Sequence, residues 1–193
     1  MTEPDPIARF RHAYEEARAT ETFDVARAAL ATADTRGRPS LRFVLVKEFD
    51  ARGLCVFTNL ESRKAREMAA NPFAALTFHW HSTGVQVRFE GPIAPVSASE
   101  SDAYFASRPR GSQIGAWASH QSQPVASREV LEARVAELGR EYEGRTVPRP
   151  PYWGGWRLCP ESIEFWRDRR DRLHDRELYT RAEQGWSTQR LSP

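Results

Sequence analysis

Cysteine is scarce in this chain of 193 residues: Cys55 and Cys159 stand far apart and form no C-x-x-C pair. That argues against a disulfide framework or a thiolate zinc site, and both read as ordinary buried thiols of a reducing compartment. Long apolar runs are missing too: no stretch approaches the roughly 20 residues a membrane helix needs. The opening Met1-Thr2-Glu3-Pro4-Asp5 is acidic where a signal peptide is basic, so a cytoplasmic protein with no membrane partner is expected. Nor is there an excess of one charge. With 28 basic and 26 acidic residues the formal net charge is +2, which gives no reason to expect a nucleic-acid ligand. The familiar catalytic signatures are also lacking: there is no G-x-G-x-x-G, Walker loop, G-x-S-x-G elbow or H-E-x-x-H. Of the five histidines, His79 and His81 have i, i+2 spacing, but no carboxylate or cysteine nearby completes a set, and no metal is expected.

What is present is a chain long enough for one domain with a real core, expected over residues 1–193, carrying many short β-rich runs. Asp5-Pro6 reads as an N-cap followed by proline at the first helical position, and Ile7, Phe10, Tyr14 and Ala17 follow at helical spacing. Val25 to Ala33 is alanine-rich and locally favours helix, yet the turn Asp34-Thr35-Arg36-Gly37 and the run Leu41 to Lys47 make it the first arm of a hairpin. Further strands are expected over 54–58, 73–80, 85–90, 156–158, 162–166, 173–179 and 186–191, with helices opened by Ser62, by the capping box Ser97-x-x-Glu100 and by Ser127. The last helix would share Leu131, Val135, Leu138 and Tyr142 on one face. Short strands with few helices favour a mainly β fold, an antiparallel barrel with flanking helices.

Several clusters carry chemistry. If Arg172-Leu173-His174-Asp175-Arg176 is extended, Arg172, His174 and Arg176 point one way, a face suited to an anionic, electron-accepting ligand; a solvated basic strand is the plain alternative. Arg42 and Lys47 are five apart on one strand, hence on opposite faces unless a bulge intervenes, which suggests two separate anionic groups. Core packing is the simple reading of Phe43, Val44 and Leu45 between them. Ser62-Arg63-Lys64 opens a helix, where free amides and the dipole favour an anion. Tyr104, Arg108 and Ser112 lie along a Pro/Gly-shaped loop able to surround a phosphate. Gln86, Gln121 and Ser122 are uncharged groups that could bond a heterocycle or simply face water.

Taken together these clusters are recognisable. The chain resembles the pyridoxine/pyridoxamine 5′-phosphate oxidase family in five blocks: Arg42 to Lys47; Phe57-Thr58-Asn59-Leu60-x-Ser62-Arg63-Lys64; Ser107-Arg108-Pro109-Arg110-x-Ser112-Gln113-Ile114-Gly115-Ala116-Trp117; Tyr152-Trp153-Gly154-Gly155; and Glu164 to Arg176. They run in the family's order from about residue 24 to the C-terminus. The resemblance implies an FMN-binding split β-barrel, antiparallel and of Greek-key type, forming a homodimer with FMN at the interface. It makes 1–20 an N-terminal helix and 150–193 the strands of dimerisation and of the substrate site.

Carried over by motif, Arg42, Phe43, Val44, Leu45, Val46 and Lys47, with Phe57, Thr58, Arg63, Lys64 and Gln86, would hold the flavin from one subunit. Gln121, Ser122, Trp166 and Arg176 would reach it from the other. The substrate phosphate would meet Lys47, Tyr104, Arg108 and Ser112, leaving Arg172, Leu173 and His174 at the pyridine ring, with Arg172 and His174 as catalytic residues. The implied reaction moves a hydride from substrate C4′ to flavin N5, and O₂ then reoxidises the flavin to give hydrogen peroxide. A phenazine-pathway flavin oxidase, or a protein that carries FMN or pyridoxal phosphate without turnover, are the competing expectations. Two features depart from the family: few residues precede the first helix where an arm usually closes over the substrate, and Arg167-Asp168 follows Trp166 where Gln, His or Gly and then Gly are usual.

Overall fold

The computed structural model describes residues 5–193, so the acidic opening at 1–4 lies outside the described residues. The first helix begins as its sequence predicts. Asp5 accepts a hydrogen bond from the Ile7 amide at 2.9 Å, and Pro6, with no amide to leave unsatisfied, starts α1 (Pro6–Thr20). Ile7, Phe10 and Ala17 are buried along one side of it. The Phe10 ring lies 4.9 Å from Phe49, 5.0 Å from Phe78 and 4.9 Å from Phe89 between centroids, so α1 stoppers an aromatic core. Truncating such a ring typically costs ~3–5 kcal/mol.

Below it lie the strands β1 (Arg27–Ala33), β2 (Pro39–Asp50), β3 (Gly53–Asn59), β4 (Phe73–Trp80) and β5 (Val85–Pro95); β1, β4 and β5 alternate inward and outward residues, whereas β3 is buried almost throughout. With β6 (Trp153–Leu158) they form the order β4-β1-β2-β3-β6-β5, and β5 pairs back onto β4, closing a six-stranded antiparallel barrel. Strands β7 (Ser162–Arg167), β8 (Asp175–Arg181) and β9 (Trp186–Arg190) extend from β5 outside the closure. The split occurs because β5 changes partner: Val85 to Glu90 pair with β7, Ile93 to Pro95 with β6. Gly91 stands at the change. A Cβ there would lie 2.4 Å from the Cys159 carbonyl oxygen, a backbone approach that glycine permits.

Among the helices, α2 (Arg63–Ala70) is capped by Ser62, α3 (Ala98–Ser107) carries the complete Ser97/Glu100 capping box, and α5 (Arg128–Glu141) follows Ser127. On α5 Leu138 is buried, Leu131 and Tyr142 are partly so, and Val135 is exposed.

Three expectations are corrected. Residues 110–118, read as a loop, form α4 (Arg110–Ala118): Pro109 ends the preceding turn, Gln113, Ile114 and Ala118 turn to a small core with Phe105, Leu138 and Trp153, and that packing outweighs Gly111 and Gly115. The strand expected from Leu173 begins only at Asp175. Arg170–Arg172 forms a 3₁₀ turn in which Asp171 and Arg172 have φ of 58° and 60°, so Arg172, His174 and Arg176 are not alternate residues of one strand. Finally, Cys159 is exposed in the turn before β7; only Cys55 is buried, and burial pushes its thiol up to about 11.

Candidate functional site

Strand β2 carries the largest group of predicted site residues, and its alternation divides them. Val46 is fully buried in the barrel, while Phe43 is 73% exposed and Leu45 45%, so the simple core reading of these two is wrong. A register shift between Val46 and Glu48 places a bulge at Lys47. That bulge is the exception to the opposite-face argument, yet Arg42 and Lys47 still reach different carboxylates, Glu67 at 3.2 Å and Asp24 at 2.7 Å.

Glu67 organises the arginines at the start of α2. It is buried, accepts from the Thr32 and Ser40 hydroxyls, and pairs with Arg42 and, at 2.8 Å, with the Nε of Arg63. Burial pushes the carboxyl up, but the Ser40, Thr32 and Arg63 hydrogen bonds outweigh it and hold the group at about 2. Arg42 is thereby tied inward, with Nη1 also on the Leu30 carbonyl and Thr32. Arg63 spends only Nε in this network. Lys64 sits differently: its ammonium donates to Thr58 Oγ1 at 3.1 Å and Gln121 Oε1 at 3.0 Å and has no carboxylate partner among the described residues. Burial, then the charge of Arg42, lowers it to about 8. Thr58 also donates to Gln121 at 2.8 Å, and Ser122 Oγ accepts from the Arg63 amide. Gln121 and Ser122, expected to act on the partner's flavin, thus already stand on their own chain's α2 terminus.

Next to this terminus opens a cavity of about 580 Å³. From β2 and β3 it takes Phe43, Val44, Leu45, Lys47, Phe57 and Thr58. Lys64 and Gln121 close one side, and Tyr104, Arg108 and Ser112 another. Its aromatic wall is a parallel stack: Phe57 lies 3.9 Å from Tyr104 at 15°, and Trp153 5.7 Å from Phe57 at 12°. The stack depends on Gly155, where a Cβ would come within 2.6 Å of the Phe57 ring. Burial raises the Tyr104 hydroxyl against the pull of Arg108, which keeps it a neutral donor near pH 7. Arg108 is the most telling residue here. Its Nη1 is buried with no hydrogen-bond partner among the described residues, a costly state for a cation and one that an anion in the cavity would relieve.

The C-terminal candidates are elsewhere. Gln86, Trp166 and Arg176 are cross-strand neighbours on the outer face of β5, β7 and β8. Arg176 grips buried Glu164 bidentately at 2.8 and 3.2 Å, and Arg88 joins the same carboxylate at 2.8 Å. His174 lies against Trp166 with centroids 4.4 Å apart; its Nδ1 accepts from the Arg169 amide at 3.2 Å and stands 3.1 Å from Asp168. Arg172 and Leu173 are exposed. None of these residues lines the cavity, so one chain gathers half of the predicted set and leaves Arg172, His174, Trp166 and Arg176 outside.

Sequence reasoning passed over four residues that the structure makes important: Glu67, Asp24, Glu164 and Trp153. The i, i+4 spacing of Arg63 and Glu67 was a readable signal; the others depend on contacts between distant segments.

Residues 15–140 match the family described as pyridoxamine 5′-phosphate oxidase, and 153–193 match the pyridoxine 5′-phosphate oxidase C-terminal dimerisation region. The chain belongs to the pyridoxine/pyridoxamine 5′-phosphate oxidase family. A relative bearing that name in Anaeromyxobacter dehalogenans is 56% identical over 190 residues, covering 98% of this chain and 96% of that protein. Another, in Rubrobacter xylanophilus, is 56% identical over 191 residues, covering 99% and 88%. Among solved structures, PhzG from Burkholderia lata 383, in complex with tetrahydrophenazine-1-carboxylic acid, superposes with a TM-score of 0.93 at 35% identity, covering 100% of this chain and 95% of that one. A pyridoxamine 5′-phosphate oxidase-related, FMN binding protein from Nostoc punctiforme shares the fold, with a TM-score of 0.80 at 19% identity over the whole of both chains.

Proposed function

We propose that this oxidase-family chain binds FMN and, as a homodimer, converts pyridoxamine and pyridoxine 5′-phosphates to pyridoxal 5′-phosphate, with O₂ reduced to hydrogen peroxide. The observation that carries the reading is the pairing, on one cavity, of two cations without carboxylate partners, Lys64 and Arg108, the second with a buried, unpartnered Nη1. A phosphorylated flavin and a phosphorylated substrate each bring an anion, which fits the two positions.

Bound FMN supplies the two-electron acceptor for substrate C4′ and passes the electrons to O₂. The chain's own residues bind and orient. Lys64, Thr58 and the terminal nitrogens of Arg63 would hold the cofactor phosphate at the start of α2, where the helix dipole adds to their charge. Tyr104 donates its neutral hydroxyl and Arg108 its guanidinium to the substrate phosphate, with Ser112 and Lys47 beside them. Phe43 and Leu45 give the ligands an apolar wall. Arg172 and His174, remote from the cavity of their own chain, would come from the second copy and orient the pyridine ring.

Purified protein loaded with FMN is expected to release hydrogen peroxide with both phosphorylated vitamers. Bound flavin without turnover on either would sink the oxidase reading, and a protein that cannot be loaded would sink the flavin with it. The likeness to PhzG favours a second reading, oxidation of a reduced phenazine carboxylate. Lys47, Tyr104, Arg108 and Ser112 on one cavity argue for a phosphorylated substrate instead. Peroxide from a dihydrophenazine carboxylate, with none from the vitamers, would reverse that choice.

A further inference from the structure

We infer that Trp153, which no motif marked as a site residue, is the positioning residue for Arg108: its indole holds the guanidinium in place and leaves the charge and the donors free for the substrate phosphate. The inference rests on the reading of Arg108 as a phosphate ligand. Nearby arginines show the contrast. Arg149 is fixed by Asp102 at 2.6 Å, and Arg157 by Asp50 and Glu100 at 3.3 and 2.7 Å. Arg108 has no such partner among the described residues; its Cζ lies 4.8 Å from the Trp153 ring centroid and 5.6 Å from that of Phe105. A carboxylate clamp would neutralise the cation and repel an arriving phosphate. An aromatic face does neither, and its attraction strengthens where water is excluded.

Trp153 is itself built to be rigid. It is 5% exposed, stacks in the wall with Phe57 and Tyr104, and meets the Phe105 ring edge-on at 5.1 Å and 72°. Its amide donates to the Pro150 carbonyl at 3.1 Å, and its own carbonyl accepts from Arg149 at 2.6 Å. An arginine side chain loses much rotamer freedom when a phosphate captures it. Laid on a fixed ring, Arg108 has lost that freedom before the ligand arrives.

The test titrates FMN-loaded protein with 4-deoxypyridoxine 5′-phosphate and with 4-deoxypyridoxine, whose 4-methyl group forms no imine with lysines. Trp153→Leu is expected to weaken the phosphorylated ligand about tenfold, ~1.4 kcal/mol. The unphosphorylated ligand should stay within about twofold, Trp153→Phe should keep most of the affinity, and Trp153→Leu should add less than about twofold once Arg108 is alanine. Arg108→Lys, which keeps the charge but lacks the planar guanidinium, should match Trp153→Leu. Equal weakening of both ligands by Trp153→Leu, additivity with Arg108→Ala, or wild-type affinity in Arg108→Lys would each overturn the inference. If Trp153→Leu fails to fold, Trp153→Phe and Arg108→Lys still decide it. A wild-type protein with no preference for the phosphorylated ligand, or Arg108→Ala with wild-type affinity, would instead overturn the phosphate reading and the inference together.

Discussion

Arg108 and Arg176 are both arginines assigned to an anion, yet their surroundings are opposite. Arg108 lies on an aromatic ring at the cavity with one nitrogen buried and unpaired, whereas Arg176 is locked bidentately onto buried Glu164 on the outer face of the sheet. The first region is a receptor assembled by one chain from β2, β3, α2, α3 and β6. The second is a surface whose charges are already balanced and whose remaining residues, Arg172 and Leu173, face outward. That outer face is continuous: Phe43, Ala29, Thr77, Arg88 and Glu164 are successive cross-strand neighbours from β2 to β7. It carries exposed Leu41 and Phe43 at one end, apolar surface of the kind that a second copy would cover. The contrast fits the proposed site in two halves, one prebuilt and one that a second copy would deliver.

The largest effect should come from the delivered half. Arg172→Ala is expected to lower turnover about a hundredfold by losing ring orientation, while FMN retention measured by gel filtration and absorbance stays near wild type. Loss of the flavin instead would mean the halves have been exchanged. In the prebuilt half, Lys64→Ala should weaken FMN about ten- to a hundredfold, the ~1.5–3 kcal/mol of a charged hydrogen bond, and leave riboflavin nearly unchanged in a fluorescence titration. Gly155→Ala forces Phe57 aside in a packed wall and should cost ~1–3 kcal/mol of stability, read as a lowered unfolding midpoint.

The smallest effect is one of pH. Burial, followed by the charge of Arg42, depresses Lys64 to about 8. Below that pH the ammonium is charged and ready for a phosphate; above it, binding must first take up a proton. FMN affinity should therefore fall about twofold from pH 7 to 8 and about fivefold from 8 to 9, a range in which the phosphate itself is already a dianion. Lys64→Ala should abolish the slope, and a slope that survives would assign the titration to another group.

How far the sequence disclosed this molecule depended on the range of each signal. Asp5-Pro6, Ser62 and the Ser97/Glu100 box are complete within one helical turn, and the elements they open are where they were expected. The strands from Arg27 to Leu158 were legible from β-rich runs between turn signals, β1 only through the turn that follows it, but those signals could not say whether Phe43 and Leu45 pack in the core or stand exposed. Helix α4 was hidden because Pro109, Gly111 and Gly115 speak locally for a loop while its stabilising partners, Leu138 and Trp153, are distant in the chain. The turn at Arg172 was hidden because positive φ at Asp171 and Arg172 has no glycine to announce it. Of the site, the cations could be read and most of their clamps could not: Glu67 stands i, i+4 from Arg63, but its bonds to Thr32, Ser40 and Arg42, like the contacts of Glu164 and Trp153, arise only in the closed barrel.

The two-half site is tested most directly by a mixed dimer. When Arg108→Ala and Arg172→Ala chains are co-expressed with different tags and the heterodimer is isolated, one of its two sites receives both mutations and the other receives neither. Peroxide release at about half the wild-type rate per dimer, from parents that are each nearly inactive, is the expected result. A heterodimer as inactive as its parents would show that Arg108 and Arg172 serve the same site from the same chain, contradicting the two-half arrangement.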